Sequence, residues 1–499
     1  MEKRASGILL HITSLPSKFG IGDLGEWAYE FSNLLSKMKQ SYWSILPLNP
    51  TSIEYGNSPY FSDSGFAGNP LLISPNLLIE EGILPDSLAK EFINLPSRYV
   101  DYKAVSRVKE LIIERAYESF TQTHIYKAEY EAFCDENSKW LDDYALYKVL
   151  KRVFNGPWYL WPDHLRNREE KALNEKRSSL KDLIKLEKFT QFLFFKQWFS
   201  LKDYCNKMGL KIIGDIPFYV SYDSVDVWTN PEIFKLDEKK RPLFVSGVPP
   251  DYFSAKGQLW GTPVYDWERL KETDFEWWMN RIKHNLKLYD LLRLDHFRGF
   301  LAYWEVPAHS DTAANGEWVK TPSEEFFKTL VRHFPNLPFI AEDLGVITPD
   351  VREAMNRLGI PGMRVLLFAF DGSPDNPYLP HNHSKNSVVL TGTHDTNTVK
   401  GWFLEEATQK EKAMLFKYVG RELSEENVSW EFIRLSMISV ANLSIIPMQD
   451  ILSLGSEARM NRPSSTLHNW EWRVTVEQLM SDDLQRFKEM TEIFGRAKY

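Results

Sequence analysis

Leu291-Leu292-Arg293-Leu294-Asp295 is an apolar run broken by one arginine and stopped by an aspartate. Three other stretches share this grammar: Ile212-Ile213-Gly214-Asp215, Phe339-Ile340-Ala341-Glu342-Asp343 and Val388-Val389-Leu390-Thr391-Gly392-Thr393-His394-Asp395. Short apolar runs with little alternation are what parallel strands covered on both faces look like. Extended slightly, the four become candidate strands at 291–296, 210–217, 339–344 and 388–395. Similar runs at 7–11, 42–48, 363–370 and 445–452 bring the total to eight. Helical patterns separate them, among them 26–39, 349–358 behind Pro349, and 482–498. Eight strands with helices between them predict a (β/α)8 TIM barrel, with a doubly wound open sheet as the competing arrangement.

The barrel is expected to occupy 1–499 as one catalytic unit carrying two insertions. Strands two and three lie about 160 residues apart, far beyond an ordinary connection. Much of that gap, about 62–208, is helical in period: Val108, Leu111, Ile112, Ala116 and Phe120 mark one face, and Phe192, Phe195 and Phe199 another before a stop at Gly209. The second insertion, 221–289, is rich in Pro, Gly and Trp and reads as loop structure over a site.

Lys and Arg number 60 against 68 Asp and Glu, a formal charge of −8, which disfavours nucleic acid as a partner. With 43% apolar and 26% charged residues the composition is that of a globular chain. No stretch of 18 apolar residues occurs and the first apolar run is too short for a signal peptide, so neither membrane nor secretion is expected. The two cysteines, Cys134 and Cys205, form no CxxC pattern, and a reducing cytoplasm fits them. Aromatic residues reach 14%. Such rings pack cores first, but flat apolar faces also stack on sugars.

A single acid at a strand end is usually a helix cap or turn residue. Four together read differently, because in a barrel the C-terminal strand ends converge on one mouth. A carboxylate cluster there suits a divalent metal or two-carboxylate glycosyl chemistry. Residues two apart on a strand point the same way, so Arg293 and Asp295 share a side while Leu292 and Leu294 pack outward. An arginine beside an aspartate holds it ionised, as a nucleophile requires, and would repel a cation. His381 and His383 form an HxH pair without a third ligand and read as a surface loop. Glycosidic chemistry is therefore favoured, with no cofactor and no metal expected.

Longer motifs sharpen this reading. Residues 247–254 (Gly-Val-Pro-Pro-Asp-Tyr-Phe-Ser), 257–261 (Gly-Gln-Leu-Trp-Gly), 293–299 (Arg-Leu-Asp-His-Phe-Arg-Gly), 341–345, 392–398 and 455–461 occur in an order that resembles the 4-α-glucanotransferase family, the amylomaltases or disproportionating enzymes of glycoside hydrolase family 77. Residues 13–17, 58–60 and 66–70 match too, so the resemblance spans essentially the whole chain. It implies Asp295 as nucleophile, Glu342 as general acid/base and Asp395 as transition-state stabiliser. Spacing alone does not choose Glu342 over Asp343. It further implies Tyr60, Asp215, Arg293 and His394 at the donor sugar, His296 and Trp260 toward the acceptor, and Asp251 as a substrate contact. The implied reaction moves a segment of an α-1,4-glucan, such as a maltooligosaccharide, to another glucan or to glucose.

The chain departs from the family at 462–468, where a glycine-containing loop gives way to Arg-Pro-Ser-Ser-Thr-Leu-His, restricting positive φ. An α-amylase-type hydrolase is the nearest alternative. Against it, Tyr219 and Val220 stand where amylases carry Asn and His, and about 26 residues after Arg473 leave no room for a C-terminal β-domain. The loop from Pro249 to Trp260, with Gly257 and Gly261 as hinges, is expected to cover the intermediate and stack an acceptor. Gly20-Ile21-Gly22-Asp23-Leu24-Gly25 satisfies a dinucleotide-binding pattern, but Thr13 to Phe19 intervene after the strand, so an NAD-dependent oxidoreductase is a remote alternative. A non-catalytic glucan-binding protein would not need the acids.

Overall fold

Apolar residues that alternate between two buried faces force a strand to be covered on both sides, and a closed barrel does this without leaving an edge. The protein, described here from a computed structural model over residues 3–90, 95–250, 256–463, 465 and 467–498, adopts that solution. Its strands are β1 (Ala5–Leu9), β2 (Tyr42–Ser44), β3 (Lys211–Ile216), β4 (Leu291–Leu294), β5 (Phe339–Ala341), β6 (Gly362–Val365), β7 (Ser387–Leu390) and β8 (Leu443–Pro447). They follow one another in order around a closed barrel, and every pairing is parallel. The open-sheet alternative is thereby set aside.

Ile213, Ile340, Met363, Val388, Leu390, Leu443 and Ile445 fill the barrel interior as one cluster. Their strand neighbours Ile212, Leu292, Leu294, Phe339 and Ile446 belong to the larger cluster packed under the helices. Each such burial contributes about 1.5–3 kcal/mol. The two-residue period then decides the rims: Arg293 follows Leu291 inward, and Glu342 follows Ile340.

Several apolar runs stop being strand earlier than expected. Run 363–370 turns into a 3₁₀ segment, Leu366–Phe368, and run 445–452 becomes a short helix, Met448–Ile451. A continuous apolar stretch is equally suited to a buried strand or a buried helix, so hydrophobicity did not mark the boundary.

Between β2 and β3 run long helices, including Tyr102–Thr123, Lys127–Phe154 and Lys181–Lys207, the last stopping before Gly209 at φ +69°. Ile112, Ala116, Phe192 and Phe195 are buried as the period requires, whereas Leu111 and Phe199 stand exposed at the stripe's edge. Segment 221–289 holds more regular structure than its Pro and Gly content suggests. Its strands Phe244–Val248 and Gln258–Pro263 join Ala302–Pro307 and Glu317–Lys320 in a four-stranded antiparallel sheet, and helix Glu276–Leu288 precedes β4.

The glycines at 20–25 serve packing. A Cβ on Gly22 would lie 1.9 Å from the Ile12 carbonyl oxygen. The N–H groups of Gly22 and Gly25 are taken by Thr13 O and Asp23 Oδ1, leaving neither for a phosphate. No helix among the described residues is long and apolar enough to cross a membrane.

Candidate active site

The ladder brings the acids together. Asp295 N–H donates to Ile216 O and Glu342 N–H to Leu294 O, both at 3.1 Å, so these two residues leave adjacent strands at the same level. Arg293 lies between carboxylates. Its Nη1 donates to Asp215 Oδ2 at 2.6 Å and its Nη2 lies 2.9 Å from Asp295 Oδ1. The Tyr60 hydroxyl donates to the same Asp215 oxygen at 2.7 Å, and its ring lies nearly parallel to that of His394, 5.0 Å away. His394 Nε2 is 3.3 Å from Asp395 Oδ2, while Asn461 Nδ2 donates to Asp395 Oδ1 at 2.6 Å. Glu342 accepts main-chain N–H groups on both oxygens, His296 at 2.9 Å and Leu344 at 2.8 Å.

These surroundings push the acids apart. Burial raises the Glu342 carboxyl to about 7, with the charges of Asp295 and Asp343 adding to the rise against Arg293 and the Leu344 N–H. Burial pulls Asp395 upward too, but His394, Asn461 and Arg293 together hold it well below the usual carboxylate range. Asp215 is raised by burial, against the opposing charge of Arg293. Burial works against the Arg293 charge, yet Asp215 and Asp295 keep it firmly protonated. Burial lowers His296 to about 4, so its imidazole is neutral. A carboxyl raised to about 7 beside one held far below it is the division of labour acid/base chemistry requires.

Asp215 Oδ1 and His296 Nε2 are buried polar atoms of this cleft with no partner among the described residues. Trp260 stands edge-on to His296, with ring centroids 4.9 Å apart, and Tyr219 approaches it from another side at 6.1 Å. Its strand is bulged there, since the pairing shifts between Val245↔Pro263 and Gly247↔Leu259 with Gly261 at φ +78° in the interval. A bulge re-aims a side chain, here toward His296. Asp251, expected as a substrate contact, lies outside the described residues, as do 252–255 of the loop expected to cover the site.

A family model described as 4-alpha-glucanotransferase matches residues 10–478. The chain belongs to that 4-alpha-glucanotransferase family. Among its curated relatives, the 4-alpha-glucanotransferase of Aquifex aeolicus is 49% identical over 493 residues, covering 99% of each chain. That of Synechocystis sp. is 47% identical over 506 residues, covering 100% of this chain and 99% of its own. Among solved structures, the amylomaltase of Streptococcus agalactiae in complex with acarbose superposes with a TM-score of 0.95 at 41% identity, covering 99% of this chain and 100% of its own.

Some residues of this 4-alpha-glucanotransferase-family cleft are not marked by strand period or acid spacing. Asn461 and Arg459, whose Nη2 donates to the Asp395 carbonyl at 2.9 Å, lie in the 455–461 motif, whose sequence does not say what they touch. Trp470, tilted against both Tyr60 and His394 at 6.0 and 5.9 Å, lies in none of the stretches singled out above. The loop that departs from the family pattern takes up the left-handed conformation without glycine, with His468 at φ +58°. Asn469 clamps it, accepting from Arg462 N–H and donating to Arg462 O and Ser465 O. The HxH pair is a surface feature only in part. His381 is exposed, but His383 is buried, its Nδ1 2.7 Å from Ser439 Oγ and its Nε2 2.9 Å from Tyr378 O. A buried imidazole with both nitrogens bonded is structural.

Proposed function

We propose that the chain transfers a segment of an α-1,4-glucan to the 4-hydroxyl of an acceptor glucan or glucose by a retaining double displacement. An Asp295 oxygen forms a bond to C1 as the bond from C1 to the leaving O4 breaks, and Glu342 gives that oxygen its proton. The acceptor 4-hydroxyl then yields its proton to Glu342 while its oxygen attacks C1 and releases Asp295. Asp395, held anionic by His394 and Asn461, stabilises the oxocarbenium-like transition states. Asp215 Oδ1, buried and without a partner among the described residues, is suited to accept a hydroxyl of the donor sugar.

The observation that carries this reading is the contrast between neighbours: Asp295 paired to an arginine, and Glu342 buried and raised to about 7. The acarbose complex of the streptococcal relative supports a saccharide in this cleft. Chromatography of maltotriose digests tests the reaction. Glucose together with maltooligosaccharides longer than the substrate is expected, and products that are all shorter would mean hydrolysis. The unpaired cysteines, Cys134 and Cys205, support a cytoplasmic setting.

Glu342 must enter the first step protonated, so kcat/KM for the donor should fall as pH rises through about 7. A Glu342→Gln variant should lose that basic limb along with about 10²- to 10⁴-fold of its activity on maltotriose. An unchanged limb would reassign the acid. Trp260, re-aimed by the bulge toward His296, is proposed to stack the acceptor and keep water from the intermediate. In Trp260→Ala the ratio of hydrolysis to transfer should rise several-fold, by about 1 kcal/mol of lost stacking; an unaltered ratio removes this part.

A further inference from the structure

The barrel wall is weakest between β5 and β6. These strands share one ladder pair, Ala341↔Gly362, whereas β1 and β8 share five. Beyond that pair, toward the C-terminal rim, a side chain takes over. Asp343 is buried, and its Oδ1 accepts the Met363 N–H at 2.6 Å, as a backbone carbonyl would in a continued ladder. Its Oδ2 accepts from Arg364 Nη1 at 2.9 Å, and the same nitrogen donates to Met363 O at 2.7 Å. Gly362 leaves the room required, since a Cβ there would lie 2.4 Å from Asp343 Oδ2. Neighbouring residues on an extended segment point to opposite sides, so tying Asp343 into the seam aims Glu342 into the cleft.

We infer that Asp343, clasped by the Met363 N–H and Arg364, is a positioning residue that holds the Glu342 carboxyl in line for proton transfer. This rests on Glu342 being the acid/base. The charged and titratable groups facing Glu342 are Arg293 and Asp295 from the β4 end, Asp343 on its own segment, and Tyr378 from the loop after β6, with Arg364 behind Asp343. Asp343 opposes ionisation of Glu342, and Arg364, paired with Asp343, offsets part of the Asp343 charge. Removing one or the other should therefore move the Glu342 proton in opposite directions, a response that a purely structural brace does not produce.

The test uses the full-length protein with two donors. Maltotriose needs a proton on its leaving oxygen, whereas α-maltotriosyl fluoride expels fluoride without one. Asp343→Asn should lose about 10- to 100-fold on maltotriose, part of the full contribution of a general acid, and several-fold less on the fluoride. Its basic limb in kcat/KM should move to lower pH, and that of Arg364→Met to higher pH. Equal losses on both donors with unmoved limbs overturn the proposal. If Asp343→Asn does not fold, Arg364→Met decides, and an unmoved limb there overturns it. Glu342→Gln tells the two failures apart. Parental turnover of maltotriose in that variant removes the acid/base assignment; a selective loss on maltotriose in Glu342→Gln beside equal losses in Asp343→Asn removes only the positioning role.

Discussion

Asp295→Asn is expected to bind maltooligosaccharides about as well as the parent while turning them over about 10⁴-fold more slowly or worse, the scale on which enzymes lose a covalent nucleophile. The amide keeps the size of the side chain and an oxygen that can still accept from Arg293 Nη2, now 2.9 Å from the carboxylate. The cleft should therefore keep its shape. What disappears is the negative oxygen able to form a bond with C1. Isothermal titration with maltotriose reads the binding, and glucose release reads the turnover. Near-parental turnover would end the assignment of Asp295 and with it the double displacement. A variant that loses binding as severely as turnover would show instead that the charge organises the cleft.

Arg293→Met should damage both stability and activity. The guanidinium forks between Asp215, whose side chain is only 3% exposed, and Asp295. Removing it leaves a buried carboxylate without its cation, which typically costs about 3–5 kcal/mol. Burial already raises Asp215, and without Arg293 that carboxyl should take up a proton in the native state. An acid whose folded pKa exceeds its unfolded value loses stability as pH rises from the unfolded value toward the folded one, so the deficit should shrink as pH falls toward about 4. Urea denaturation at several pH values measures this. Arg293→Lys should recover part of the stability but little activity, because one ammonium cannot reproduce a planar fork to two acids. Unchanged stability in Arg293→Met would mean that Asp215 is solvated or otherwise paired.

Much of the architecture was legible from residues alone. Runs such as Ile212-Ile213 and Val388-Val389-Leu390 lack alternation because both faces of each strand are covered, one by the barrel interior and one by helices. That same lack of alternation hid the direction of the rim residues. Nothing in Phe339-Ile340-Ala341 says which of its residues faces inward, so Glu342 and Asp343 were separable by resemblance but not by pattern. The strand ends at 365 and 447 were invisible for a similar reason, since apolar residues continue past them into buried turns and a short helix.

By itself the sequence determined eight covered parallel strands, the acids at their ends and the family resemblance, because each follows from local period or from contiguous motifs, while closure into a barrel rather than an open sheet was settled by the tertiary structure. Only the tertiary structure decided that Arg293 is shared between Asp215 and Asp295, that Asn461 and Trp470 reach the cleft, that His383 is buried and that Asp343 closes a seam. It also decided that burial raises the Glu342 carboxyl to about 7. Each of these depends on distances between residues remote in the chain and on how much water the fold excludes, and neither quantity is encoded in any short stretch.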